Sequence, residues 1–424
     1  MASAALKVLS RASKKLIKPS SPTPLTKKWH KFSLIEQGQT HNYGPLGYFY
    51  SKSQLGALSN QPTKISKLLE NSLSKNLVSY YPYAGQMKDN ATIECNDKGV
   101  EFLNVHIDAP MSQVLNHQDC HVKDLIFAPG VAWENDSDYG LSVIQLTHFD
   151  CGGIAVSTCF SHKIGDGFSA LQFSIDWATL TRDPNAKTTA PYYISDTIFP
   201  SPPSGPLDSP VVQSILDGCT QKRSSVAAES QVKNPTTTEV LSALLFKCIA
   251  KAVTANSGSF VPSKLIQYAD IREMVSPKLP PISIGNALSH FSTHISSEAD
   301  MNLPQVVSLM RKEKQLFKTR DNIKENAWAL EILELAKGLP PKKKEFDEYT
   351  CSSLCKFPFY DVDFGWGKPM AATVATGPYN KLFNLMNYRD GGIEALVMLD
   401  EQDMSVFERD EEFLEFASPY ANYF

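Results

Sequence analysis

No stretch of this chain stays apolar for the roughly 18 residues a membrane-spanning helix requires. Mean hydropathy is -0.23, so a soluble protein is expected. Positive charge is not in excess either: 41 Lys and Arg face 45 Asp and Glu, a net charge of -4. No general field would then draw the chain onto phosphate backbones, and nucleic acid is not an expected partner. The eight cysteines are scattered from Cys95 to Cys355, without the dense spacing of a secreted disulfide framework. Reduced thiols and a cytoplasmic location follow. Cys351 and Cys355 have no second Cys or His pair nearby to complete a zinc site. The sequons at Asn90 and Asn135 lack a secretory signal to support them.

What is present is a globular chain. Its 424 residues, 42% of them hydrophobic and 10% aromatic, can bury a large interior and suit two domains. The basic, serine-bearing start, ALKVLSRASKKL, superficially suits a transit peptide. An extended region begins soon after PSSPTP (Pro19 to Pro24), so this start is read as part of the mature domain.

Ile65, Leu68, Leu69, Leu73 and Leu77 fall at helical spacing, with Thr63 as a candidate N-cap. Two apolar runs meeting at Asp150-Cys151-Gly152-Gly153 read as a hairpin, which leaves His162 at or just beyond a strand end. A helix is expected next, with Phe168, Leu171, Ile175 and Ala178 on one side. Residues 183–230 are proline- and serine-rich and read as a crossover linker. TTTEVLSALLFKCIAKAV then opens a helix that its threonines can cap. LPPKKKEFDE, from Leu339, reads as a solvated surface loop.

Chemistry could reside in SHKIGDGFSA, Ser161 to Ala170. On a continuous helix His162 and Asp166 would share a face and offer two metal ligands. A third ligand is needed, and no other histidine forms a compact motif with them, although His148 could approach through the hairpin. A histidine at a strand end also suits general base catalysis, because its ordinary pKa lies near neutrality. From this motif alone, a side chain satisfied by local backbone groups is the favoured reading. DFGWGKP, Asp363 to Pro369, reads on its own as a tight glycine-rich turn. Its DFG triplet occurs in kinases, but HRD and glycine-rich phosphate loops are missing.

Together, HKIGDG at 162–167 and DFGWG at 363–367 resemble the paired signatures of the BAHD acyltransferases, plant enzymes that use acyl-coenzyme A. PSSPTP, YPYAG at 81–85, FDCGG at 149–153 and the LPP before Gly285-Asn286 agree in order and spacing, so the resemblance spans nearly the whole chain. IKPSSPTP, ECNDKGVEF and FYDVDFGWGKP look most like the alkaloid O-acetyltransferases of that family.

The resemblance implies an α/β fold of two chloramphenicol-acetyltransferase-like domains, each a mixed sheet flanked by helices, with a solvent channel between them. The implied division is residues 1–182 plus about 362–390 for the first domain and 231–361 plus 391–424 for the second. His162 would be the general base, reached by coenzyme A from one face and the acceptor from the other. Asp166, paired with Arg272, and Gly167 would support the loop. Asp363, Phe364, Gly365, Trp366 and Gly367 would be structural. Many relatives carry Thr-Ser-Trp where this chain has Ser352-Ser353-Leu354, so the Ser352 hydroxyl is the candidate oxyanion donor. No metal, bound cofactor or covalent acyl-enzyme is implied, and a monomer is expected.

Acetyl-coenzyme A is the expected co-substrate. A malonyl tail needs a cation against its buried carboxylate, and none of the chain's eight arginines marks an acyl pocket. Malonyl-coenzyme A remains the alternative, since lysine could serve. The expected acceptor is a hydroxyl of an indole-type alkaloid, with a terpenoid or phenolic alcohol as alternatives.

Overall fold

The computed structural model describes residues 13–39, 42–117, 119–131, 140–195, 197–198, 200, 234–318, 346–377, 379–389 and 391–418. Two mixed sheets organise them. Strands β1 (Ser13–Ile17), β3 (Tyr43–Tyr50), β6 (Val100–Ile107), β7 (Ser142–Phe149), β8 (Ile154–Ser161) and β14 (Ala371–Val374) form the first, in the order β1-β6-β7-β8-β3-β14. The second contains β10 (Ser263–Asp270), β12 (Leu288–Ile295), β13 (Asp347–Ser353), β15 (Leu382–Asn387) and β16 (Ile393–Met398), in the order β12-β10-β13-β15-β16. A three-stranded patch joins β2 (Trp29–Lys31), β4 (Gln86–Asp89) and β5 (Thr92–Glu94), and a short parallel pair joins β9 (Tyr192–Tyr193) to β11 (Ser283–Ile284).

Both large sheets are mixed because hairpins and crossovers alternate. β7 and β8 are antiparallel across the turn at 150–153, whereas β6 and β7 run parallel. Lys14 and Lys15 of the basic start lie on β1 and pair with Glu101 and Glu70, at 2.7 Å each.

The first sheet is covered on both faces. On one lie helices α3 (Pro62–Ser79) and α5 (Gly167–Arg182), bringing Leu69, Leu73, Phe173 and Trp177 against Tyr48, Ile144 and Val156. On the other, the segment 109–131 packs Met111, Val114 and Ile126 against Phe49, Val143 and Ala155. α3 begins at Pro62 with Gln61 at its N-cap, so Thr63 lies inside the helix. Proline is pre-set for the first helical turn, where its missing N–H costs nothing.

α5 buries more than the stripe of Phe168, Leu171, Ile175 and Ala178. Leu171 and Ala178 of that stripe are buried, but so are Phe173, Trp177 and Leu180 outside it, while Phe168 and Ile175 are half-buried. The helix packs on both the sheet and the neighbouring α3, so two faces are covered and a single-stripe pattern under-reads it.

In the second sheet, one face packs on helices Thr237–Ser257 and Leu303–Lys318 through Leu265, Tyr349, Cys351, Phe383 and Leu385. Thr236 caps the first of these helices in a capping box with Glu239. The other face of β15 and β16 turns to the first domain, where Met386 joins the core of α3, α5 and β3 and Leu396 packs on it.

Segment 362–390, expected to return to the first sheet, divides. Ala371–Val374 pair with β3, but Leu382–Asn387 pair with β13 and belong to the second sheet. Of its strands only β14 crosses back, with the preceding 362–367 turn packed on the first core. Most of the 183–230 linker and the LPPKKK part of the 339–348 loop lie outside the described residues.

Candidate active site

His162 lies one residue past β8, where the strand must give way to the turn before α5. Its backbone is held from two sides. The N–H donates to the Asn42 carbonyl at 2.8 Å, and the carbonyl accepts from Asn286 Nδ2 at 2.6 Å. Its imidazole lies over β3: a methyl group on Gly44 would stand 3.1 Å from Nε2. The residue is half-buried, and desolvation lowers its pKa, with the Asp166 charge acting in the opposite direction. The neutral, proton-accepting form therefore predominates near pH 7.

Asp166 is the N-cap of α5 and faces away from any role shared with the imidazole. Its Oδ1 accepts from the Ser169 N–H at 3.1 Å, Ser169 Oγ at 3.0 Å and Arg272 Nη2 at 3.0 Å. Its Oδ2 accepts from Arg272 Nη1 at 2.7 Å and the Ala287 N–H at 3.1 Å. A carboxylate has about four lone-pair sites, so these donors leave none directed at a metal shared with His162. Burial alone would raise the Asp166 carboxyl, but Arg272 and the backbone donors hold it below the usual range.

Arg272 is itself buried, at 8% exposure. Its remaining donors reach the carbonyls of Ser283 at 3.0 Å and Gly285 at 2.8 Å, and its guanidinium carbon lies 4.5 Å from the centroid of the Phe168 ring. Gly285 is required where it stands: its φ is +134°, and a Cβ there would meet Ile194 at 2.6 Å and the Glu36 carboxylate at 2.8 Å. Gly165 is similarly closed in, since a Cβ would lie 2.6 Å from that of Ser169.

The sequence reading missed the cluster beneath this loop. Lys163, 4% exposed, donates to Asn90 Oδ1 at 2.6 Å and to the carbonyls of Gln37 and Glu36 at 3.2 and 3.3 Å. Burial pushes its pKa down to about 8, with the Glu36 charge opposing that shift. The fully buried Glu36 closes a capping box with Ser33 and accepts the Asn286 N–H at 3.2 Å. Asn90, noted only as a sequon, uses its Nδ2 to bond the Gln37 carbonyl at 3.3 Å. Ser33-x-x-Glu36 was a readable capping signal; nothing local marked Lys163 or Asn90 as its partners.

The other expected residues lie elsewhere. His148 is at the opposite end of the β7–β8 pair from His162, because the strands are antiparallel and His148 faces Ile154. It cannot approach the imidazole, and its Nε2 bonds Asn104 Oδ1 at 3.2 Å. A crevice of about 650 Å³ lined by Ser51, Lys52, Met111 and Cys151 also belongs to that far end.

The 363–367 motif forms a turn on the first core. Asp363 Oδ1 accepts the N–H groups of Gly365 and Gly367 at 2.8 and 2.9 Å, both glycines having positive φ. Phe364 packs edge-on against Trp177 at 4.9 Å and Trp366 against Tyr50 at 5.8 Å. Ser352 is half-buried on β13 and registers against Asn384. Just beyond β13, Phe357 and Leu354 approach Gly167, where a Cβ would meet them at 3.2 and 3.9 Å, so this strand end abuts the start of α5.

Two mixed sheets meeting at a clamped histidine–aspartate loop define a two-domain acyltransferase. The Transferase family model matches residues 7–226 and 209–414, and the chain belongs to this family, the acyl-coenzyme A-dependent BAHD acyltransferases. It is 45% identical over 434 residues to Acyltransferase Pun1 of Capsicum frutescens, covering 96% of this chain and 98% of that protein. It is 34% identical over 440 residues to Deacetylvindoline O-acetyltransferase of Catharanthus roseus, covering 96% and 97%. The crystal structure of vinorine synthase matches with a TM-score of 0.80 at 25% identity, covering 97% of this chain and 99% of that one.

Proposed function

We propose that this enzyme transfers acetyl from acetyl-coenzyme A to a hydroxyl of a plant alkaloid of the indole type, with His162 as general base. One observation carries the reading: a half-buried imidazole, fixed through its own backbone at a strand end and kept neutral by desolvation. Neutral His162 takes the hydroxyl proton as oxygen attacks the thioester carbonyl. A tetrahedral oxyanion forms, for which the Ser352 hydroxyl is the proposed donor. The C–S bond then breaks, and the imidazolium returns its proton to the leaving thiolate. Asp166 and Arg272 keep the loop in place and the 363–367 turn supports the core, so neither touches the reacting atoms. Coenzyme A and acceptor enter from opposite faces of the domain junction.

The acceptor and donor classes rest on relatives named as minovincinine 19-hydroxy-O-acetyltransferase and deacetylvindoline O-acetyltransferase, which act in the alkaloid class. A malonyl donor is the second reading, because an N-malonyltransferase of Strychnos nux-vomica is also a relative; a limonoid acetyltransferase extends the acceptors to terpenoids. The six cysteines whose state is described are free thiols, which supports a cytoplasmic enzyme, and we infer that it acts as a monomer. Among the described residues no helix is long and apolar enough to cross a membrane.

A screen of acyl-coenzyme A donors against hydroxylated indole alkaloids, read by mass spectrometry, tests the proposal. The expected product gains one acetyl group, and His162→Ala lowers its rate at least ~100-fold. Faster use of malonyl-coenzyme A would overturn the donor. Undiminished turnover by His162→Ala would overturn the base.

A further inference from the structure

β13 and β15 lie side by side and parallel, with Ser352 registered against Asn384. Along β15, Phe383 and Leu385 point into the core of the second domain. Asn384 and Met386 therefore point the other way, since successive strand residues alternate faces. Met386 ends in the core of the first domain, and Leu396, the β16 partner of Asn384, packs against the same core. On β13, Cys351 faces the second core, so Ser352 shares the face of Asn384. The two polar groups thus look from the second sheet into the domain junction. They sit beside the strand end whose next residues touch Gly167, at the foot of the His162 loop.

Asn384 is only 5% exposed, yet its side-chain amide bonds no group among the described residues, Ser352 included. Its amide atoms are not among the fully buried polar atoms that lack a partner, so they keep contact with solvent and are open to a ligand group. Its neighbours on this face are Met386 and Leu396, among which an apolar residue would pack as well. Ser352 stands one strand spacing away, about 5 Å between backbones, so the two side chains can converge on one small polar group. Neither side chain is charged. The cations on this face are already paired, Lys123 to Glu394, the β16 partner of Met386, at 3.0 Å, and Lys264 on β10 to Glu348 at 2.8 Å. The pair matches an uncharged carbonyl, amide or hydroxyl and not a carboxylate.

Resting on the acyl-transfer reading, we propose that the Asn384 amide, with the Ser352 hydroxyl beside it, hydrogen-bonds an uncharged polar group of a bound substrate. That group belongs either to the acyl-coenzyme A, whose pantetheine arm carries amides and whose thioester carries a carbonyl, or to the acceptor.

Asn384→Leu removes donor and acceptor at nearly constant volume, and Asn384→Ala serves if leucine does not fold. Both are assayed with acetyl-coenzyme A and the alkaloid that gives product in the screen above, varying each in turn. The ligand-free melting temperature of Asn384→Leu should equal or exceed that of the wild type, because the fold loses no bond. kcat/KM should fall about ten- to a hundredfold, through the KM of whichever substrate carries the bonded group, which identifies the source. If kcat/KM for both substrates stays within twofold, or if ligand-free Asn384→Leu melts clearly lower, the contact is overturned while acyl transfer stands. A wild type that turns over no acyl donor overturns both.

Discussion

Arg272 grips Asp166 with two near-parallel bonds, Nη1 to Oδ2 at 2.7 Å and Nη2 to Oδ1 at 3.0 Å, and both side chains are buried. Removing one member strands the other's charge in the interior. Arg272→Ala should therefore cost about 3–5 kcal/mol of folding stability, measured by urea denaturation. Arg272→Lys should recover little, because an ammonium cannot reproduce the fork or also reach the carbonyls of Ser283 and Gly285. A stability within 1 kcal/mol of wild type, to about that precision, would contradict the strut role.

The imidazole sets the acid limb of activity. Because burial lowers the His162 pKa from its ordinary 6.5, the neutral base persists below that value. As pH falls, kcat/KM should decline with a midpoint under 6.5, and the enzyme should keep most of its activity at about pH 6.5. A midpoint clearly above 6.5 in the pH–rate profile would rule out a desolvated base.

Lys163 offers a test at the other end of the scale. Its folded pKa is about 8 against an ordinary 10.5, so between these values the folded state binds fewer protons than the unfolded chain. Wild-type stability attributable to this group should then rise with pH across that window. Lys163→Met should abolish the rise and also unfasten the three oxygens the ammonium serves, costing roughly 1–3 kcal/mol at pH 7. Denaturation curves at several alkaline pH values would show it; identical slopes for variant and wild type would refute it.

Gly44 has no Cβ, and one placed there would lie 3.1 Å from His162 Nε2. Gly44→Ala should push the ring by a few tenths of an ångström while leaving β3 paired with β8. The expected result is a fall in kcat of roughly tenfold, given how steeply rate depends on placement, with an almost unchanged melting temperature. Full activity in steady-state assays would show that the ring does not work from this position.

Much of this architecture was legible before any coordinates. The turn at 150–153, His162 at a strand end, and the capped helix after Pro235 each follow from local spacing. Other features were not. Strand β15 looked like a continuation of the returning segment, because nothing within Leu382–Asn387 states which sheet it will join; that is decided by pairing with β13. Lys163 read as an ordinary polar residue, since its three acceptors come from stretches 73 to 127 residues away. The silent sequon at Asn90 is an anchor for the same reason. Periodicity records which side of an element is apolar, but the partner of a buried polar group is settled only by the finished fold.

The crossing strand at Ala371–Val374 ties completion of the first half to synthesis of the second. That half draws Phe359, Val362, Phe364, Trp366, Ala372 and Val374 into its interior. While a ribosome is still making the second sheet, Tyr50 and Trp177 wait without the residues that will cover them. The enzyme is thus unable to mature one half at a time, and a nascent chain stalled before this strand would present an aromatic surface to chaperones and not a finished domain.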